Sequence, residues 1–167
     1  IEIIIEPKMS FGTAHHETTS LMVEALLEED LTGKAVLDMG CGTGVLAILA
    51  SRMGAGKVVA IDVDERAVEN ARENFEKNHA TDGIVVQGDD SAIPEEQFDV
   101  ILANINLNTL IKQMPAYAGA LGAGGILFLS GFYLEDLTVI EECAARLNLG
   151  RSGIRKKNNW IVAKFVR

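Results

Sequence analysis

Short runs rich in Val, Ile and Leu alternate along the chain with longer stretches in which apolar residues recur every three or four positions. The runs at 35–39, 57–61, 84–87, 98–103 and 125–130 are mostly apolar on both faces, as strands covered on both sides of a parallel sheet must be. Between the second and third runs, 65–78 sets Ala67, Val68, Ala71 and Phe75 on one helical stripe, with Asp64 ahead of it as an N-cap. Leu21, Met22, Ala25 and Leu26 form a similar stripe before the first run, and Leu137, Ile140, Ala144 and Leu147 another after the fifth. The segment 45–53 is apolar enough for a buried helix, closed by Gly54. Strands alternating with helices in this way build crossover units, so the pattern predicts a parallel sheet with helices on both faces. The end of the chain departs from it. Two strand-like runs, 152–156 and 160–166, are joined only by Lys157, Asn158 and Asn159, a connection that fits antiparallel neighbours and is too short for a crossover. The expected fold is α/β, Rossmann-like and doubly wound: a mostly parallel seven-stranded sheet with an antiparallel last strand.

At 167 residues the chain has the size of one domain, 1–167, and no linker, repeat or low-complexity stretch divides it. Lys and Arg number 15 against 24 Asp and Glu, a net charge of −9. That balance argues against direct binding of nucleic acid and favours a basic partner. The apolar runs are far shorter than the ~20 residues of a membrane-spanning helix, so no membrane partner is expected. Cys41 and Cys143 form no CxxC pair and are too few for a disulfide framework, which points to a reducing, cytoplasmic compartment. The three histidines lack metal-ligand spacing, and no metal is expected. The chain opens at Ile1 and runs at once into Ile3, Ile4 and Ile5, so it is expected to be the C-terminal piece of a longer protein.

The most informative segment runs from Val36 to Gly44, V-L-D-M-G-C-G-T-G, a strand leading into a glycine-dense turn and then a helix. Gly40 and Gly42 lack a Cβ and can take positive φ, so a ligand can approach the main chain while the helix aims its free N–H groups and positive dipole end at it. About twenty residues on, at the end of the second strand, stands Asp62, where a carboxylate can accept both ribose hydroxyls of a nucleoside. Asp38 is either a second contact to that ligand or a carboxylate that fixes the turn. The third glycine is Gly44, so the spacing is G-x-G-x-G rather than the G-x-G-x-x-G of dinucleotide folds, which disfavours NAD.

A G-x-G-x-G turn preceded by an acid resembles the first motif of the class I S-adenosylmethionine-dependent methyltransferases. Gly88-Asp89-Asp90-Ser91-Ala92-Ile93-Pro94 is similar to the segment that lines the adenine in those enzymes, and Phe98-Asp99-Val100-Ile101 to their fourth strand. Two further segments narrow the resemblance: Phe11-Gly12-Thr13-Ala14-His15-His16-Glu17-Thr18-Thr19 and Ala103-Asn104-Ile105. They resemble the F-G-T-G-x-H-x-T-T and A-N-I-L signatures of the PrmA family, which trimethylates amino groups of the eleventh protein of the large ribosomal subunit. Ala14, His15 and Asn106 depart from the family's usual residues. Family members carry a substrate-recognition domain ahead of the methyltransferase domain, and Ile1 is expected to follow directly where it would end.

The resemblance implies S-adenosylmethionine as cofactor, a protein substrate of ribosomal origin, and cofactor contacts at Thr19, Gly40, Asp62 and Asn104. Asp62 suits the ribose diol, and Gly40 admits the methionine part. Thr19 and Asn104 offer groups able to hold its amino and carboxylate ends, and Asp89, or the backbone at Asp90, would read the adenine. Asn104 is the candidate for bridging cofactor and incoming amine. His16 is either a base or a residue that orders its loop, and an amine that loses its proton to water needs no dedicated base. His15 and His79 are expected to be solvated, Cys41 to be a buried filler or to line the pocket, and Cys143 and Trp160 to lie in the core. Three other readings stay open: a methyltransferase acting on another protein or a small molecule, a cofactor-binding module silent without its recognition domain, and an NAD-dependent oxidoreductase.

Overall fold

The computed structural model describes residues 1–8 and 16–167. In chain order the main elements are α1 (His16–Leu27), β1 (Ala35–Met39), α2 (Val45–Arg52), β2 (Lys57–Asp62), α3 (Glu65–Lys77), β3 (Ile84–Gln87), β4 (Phe98–Asn104), α4 (Leu107–Ala120), β5 (Leu121–Tyr133), α5 (Leu137–Arg146), β6 (Gly150–Lys157) and β7 (Trp160–Val166). The strands form one sheet in the order β3-β2-β1-β4-β5-β7-β6. β1 to β5 pair in parallel, while β7 runs antiparallel to both β5 and β6. The expected seven-stranded sheet with its reversed last strand is the one observed.

Side chains of each strand alternate between two helical layers, as the period of two requires. Leu37, Met39, Ile61, Ile101 and Ala103 face Leu110, Met114 and Tyr117 of α4 and Ile140 and Ala144 of α5. Val36, Val58, Ala60, Val100 and Leu102 face Leu26 of α1, Ile48 of α2 and Phe75 of α3. The predicted stripe on α3 is buried, and Asp64 caps that helix by accepting the Arg66 N–H at 2.9 Å.

Four details differ from expectation. α4 is not a segment that apolar periodicity picks out: Gln113 lies buried in its inner stripe, bonded to the Tyr117 hydroxyl at 2.5 Å, and Pro115 sits inside the helix. β5 extends to Tyr133, past Gly131, where φ is +97° and the pairing with β7 shifts register. Trp160 is half-buried rather than core, its ring tilted against that of exposed Tyr133 with centroids 4.2 Å apart. Cys143 is likewise only half-buried on α5.

β1 neighbours β2 on one side and β4 on the other, so the connections after β1 and β4 part to opposite faces of the sheet. The carboxyl ends of β1 and β4 thus meet at a switch point, where folds of this kind bind their ligands. Among the described residues no helix is long and apolar enough to cross a membrane.

Candidate functional site

The turn after β1 is built by backbone bonds that only a glycine-rich segment can make. The Gly40 and Cys41 amides both donate to the Ile61 carbonyl, at 2.7 and 3.1 Å, and the Gly44 amide donates to the Cys41 carbonyl at 2.8 Å. Gly40, Gly42 and Gly44 take φ of +68°, +55° and +84°, a region that costs side-chain-bearing residues about 1 kcal/mol or more. A Cβ on Gly40 would collide with the Ile105 side chain, whereas one on Gly42 would meet nothing within 4 Å. The turn is therefore packed on one side and open on the other. Gly44 precedes α2 with no side-chain cap of its own; Asp38 takes the Ala47 amide, and the start of a helix, with its positive dipole end, suits an anionic group.

Asp62 closes β2 beside this turn. Its Oδ2 accepts the Gly42 amide and its Oδ1 the Asp64 amide, both at 2.9 Å. An ionised carboxylate has roughly four acceptor sites, so this side chain, though buried, retains capacity for donors from a ligand. The next residue, Val63, is 65% exposed. An exposed valine between an acid and a helix cap gives the site an apolar surface that the sequence reading missed. The available signal was an apolar residue at a strand end where a polar loop residue is usual.

Asp38, in the middle of β1, is buried on the same sheet face as Leu102. It accepts the Ala47 amide at the start of α2, while its Oδ2 has no partner. Burial pushes its carboxyl up to about 8, with the nearby Asp62 charge adding to the rise and the Ala47 bond opposing it. Asp38 thus bonds the start of α2, while Asp62 bonds the turn.

Asn104 ends β4, two residues beyond Leu102 and so on the same face. Its Nδ2 donates to the Thr19 hydroxyl of α1 at 3.4 Å, and its Oδ1 is buried without a partner. Four of the expected residues, Thr19, Asp38, Asn104 and Asp62, therefore gather with Gly40 and Gly42 around the carboxyl ends of β1, β2 and β4. Asp89 stands apart from these carboxylates after β3: its Oδ1 accepts the Ser91 amide at 2.9 Å and hydroxyl at 2.5 Å, which holds its carboxyl below the usual range. The backbone of Asp90 begins the 3-10 turn Asp90–Ala92 that this contact caps.

His16 begins α1, but its side chain, and the loop signature 11–15 with Ala14 and His15, lie outside the described residues. His79 is exposed, as expected. Cys41 is buried, and its thiol is pushed well above the usual range by burial first and then by Asp38 and Asp62, which suits a filler and not a nucleophile. Among the described residues no group of three or more His, Cys, Asp or Glu is gathered as a metal ion would need.

The family described as ribosomal protein L11 methyltransferase (PrmA) matches residues 1–167. The chain belongs to that family. The ribosomal protein L11 methyltransferase of Porphyromonas gingivalis is 52% identical over 99% of this chain and 58% of its own length. That of Pelobacter propionicus is 40% identical over 100% of this chain and 56% of its own. This PrmA-family chain thus spans a little over half the length of the curated relatives it matches. The crystal structure of a ribosomal protein L11 methylase from Lactobacillus delbrueckii subsp. bulgaricus superposes with a TM-score of 0.87 at 27% identity, covering 91% of this chain and 79% of that one. A magnesium protoporphyrin IX methyltransferase from Synechocystis, solved with its own S-adenosylmethionine bound, shares the fold at a TM-score of 0.76 and 19% identity, over 92% of this chain and 79% of that one.

Proposed function

We propose that residues 1–167 are the transfer domain of a protein N-methyltransferase, moving methyl groups from S-adenosylmethionine to lysine or N-terminal amines of ribosomal protein L11, the substrate in the family's name. The observation that carries this reading is the pair of buried, unpartnered oxygens, Asp38 Oδ2 and Asn104 Oδ1, on one sheet face toward the carboxyl ends of β1 and β4. An unsatisfied buried polar group costs about 1–3 kcal/mol, a cost removed by a ligand that brings N–H donors to Asn104 and a positive charge beside which the Asp38 carboxyl gives up its proton. The amino group of the methionine part is such a donor, and the ribose hydroxyls are donors for the remaining capacity of Asp62. The residues present fit the cofactor.

When bound, S-adenosylmethionine supplies a methyl group activated by its sulfonium and departs as S-adenosylhomocysteine. The chain's own residues bind and orient. Asp62 would accept the ribose hydroxyls while holding the Gly42 amide, and the start of α2 would set its positive dipole end toward the ligand. Thr19 and Asn104 would hold the amino acid end, with Asn104 the candidate for aligning the incoming amine. Val63 would offer apolar surface to the base, with Asp89 or the Asp90 backbone the candidates for reading it. Attack by a neutral amine needs alignment and exclusion of water more than a base, and proximity of this kind is worth up to about 7–11 kcal/mol of barrier.

The same reading places the work in the cytoplasm, with a ribosomal protein as partner and no direct role for nucleic acid or membrane. Calorimetric titration with S-adenosylmethionine, S-adenosylhomocysteine and NAD in parallel tests the cofactor. Binding of the first two alone is expected; binding of NAD alone overturns the reading. Transfer to unmethylated ribosomal protein L11, compared with other acceptors, tests the substrate. Because the chain covers 58% of a relative's length, a module that binds cofactor yet transfers only within a longer chain is the second reading. Binding without transfer by 1–167, with transfer restored in the longer chain, would select it.

A further inference from the structure

Three asparagines, Asn70 and Asn74 of α3 and Asn78 at its C-cap, stand four residues apart on one face of the helix, and all three are buried. Opposite them lies the segment 1–8. Asn78 accepts the Ile4 amide at 2.8 Å and donates to the Ile4 carbonyl at 2.7 Å. Asn74 accepts the Glu6 amide at 3.1 Å, and Asn70 donates to the Glu6 carbonyl at 2.7 Å and accepts the Lys8 amide at 3.3 Å. The spacing explains the match. Alternate residues of an extended chain are about 6.6 Å apart and helix residues four apart about 6.0 Å, so a row of carboxamides can pair with alternate residues of a strand. A carboxamide, like a peptide group, offers donor and acceptor together. Ile3 and Ile5 turn inward onto the layer of α1, α2 and α3, and ion pairs of Glu6 with Lys77 and of Lys8 with Glu73 flank the row.

Asn74 differs from its two neighbours. Its Oδ1 takes the Glu6 amide, and its Nδ2 donates at 2.9 Å to the carbonyl of Thr43, between the second and third glycines of the turn. α3 also packs there directly, since a Cβ on Gly44 would press against Ala71 and Phe75. We propose that Asn74 is a positioning residue: it ties the clipped segment 1–8 to the glycine turn, so that the segment and the turn after β1 share one register on which cofactor affinity depends. The affinity part of this inference rests on the cofactor reading given above; the coupling does not.

The test compares the wild-type chain with Asn74→Ala, Asn78→Ala, Glu6→Pro and Glu6→Ala. Amide hydrogen exchange of the ligand-free protein is read at Gly42 and Gly44, and S-adenosylhomocysteine affinity by calorimetry. Asn74→Ala is expected to speed exchange at both turn amides and to weaken affinity roughly tenfold, the scale of one lost buried hydrogen bond. Asn78→Ala, which touches the segment but not the turn, should speed exchange at Ile4 and leave the turn amides unchanged. Glu6→Pro removes the N–H that Asn74 accepts without altering α3, so it keeps the test valid if Asn74→Ala fails to fold; Glu6→Ala controls for the lost ion pair. Unchanged turn exchange in Asn74→Ala and Glu6→Pro overturns the proposal, as does unchanged affinity against a wild type that binds. Faster turn exchange in a wild-type chain background that takes up no S-adenosylhomocysteine supports the coupling and overturns the cofactor reading instead.

Discussion

The carboxylate of Asp62 accepts the amide of Gly42 at 2.9 Å, and with its other oxygen the amide of Asp64. One side chain therefore joins the end of β2, the turn after β1 and the N-cap of α3. Its orientation is fixed before any ligand arrives, and such preorganisation lowers the ordering cost of binding.

Replacing Asp62 by Ala should then have two separable effects. The Gly42 and Asp64 amides lose their acceptor, which is expected to lower stability by about 1–3 kcal/mol. S-adenosylmethionine affinity should fall by a larger factor, about a hundredfold or more, since the ribose acceptor disappears as well. Urea unfolding and calorimetry measure the two. Affinity within twofold of wild type in a folded variant would refute the ribose assignment.

Gly40 and Gly42 invite a paired comparison, because both have positive φ but their surroundings differ. Gly40→Ala drives a Cβ into Ile105 and should destabilise the fold by about 1–3 kcal/mol. Gly42→Ala carries only the strain of its backbone, about 1–2 kcal/mol, and puts its methyl group into the open space beside the turn. It should therefore cost affinity more than stability. Equal thermal shifts for the two variants, with cofactor binding intact in Gly42→Ala, would show that the ligand does not lie against this turn.

Much of this arrangement is legible in the sequence, for identifiable reasons. Apolar runs and the glycine turn are local signals, and they specify β1, β2, β4 and the acid at position 62 without reference to partners. The reversed β7 follows from a connection too short to cross the sheet. α4 is hidden because Gln113 occupies a core position whose polarity is satisfied only by Tyr117 one turn on. The asparagine row on α3 reads as ordinary helix surface until its partner, the segment 1–8, is known. Asp38 shows the same limit: its charge state depends on burial and on Asp62, neither of which a strand pattern contains.

That burial has a consequence for pH. Asp38 ionises near 8 in the folded protein against 3.8 for the ordinary side chain, so between about pH 4 and 8 the folded state holds a proton that the unfolded state releases. Its contribution to stability is greatest at the acid end of this window and declines as pH rises, by at most about 1.4 kcal/mol per unit, levelling off above 8. Asp38→Asn keeps the shape of the protonated acid and cannot ionise. The stability of the variant relative to wild type should grow from pH 5 to pH 8 in urea titrations, whereas parallel curves would show that Asp38 does not hold this proton.

Thr19 and Asn104 come from α1 and the end of β4, far apart in sequence, and meet through a bond of 3.4 Å. If they hold the same end of the cofactor, neither acts alone. Thr19→Ala frees the Asn104 amide to turn away, and Asn104→Ala leaves the Thr19 hydroxyl without its donor. The double variant should lose less than the sum of the single losses in S-adenosylmethionine affinity, with a coupling of about 0.5–3 kcal/mol. In methyl transfer, Asn104→Ala should also depress kcat if Asn104 aligns the incoming amine as proposed, while Thr19→Ala should act mainly through cofactor KM. Additive losses would separate the two residues into independent contacts. A kcat unchanged in Asn104→Ala would remove Asn104 from alignment of the amine and leave it as a cofactor ligand alone.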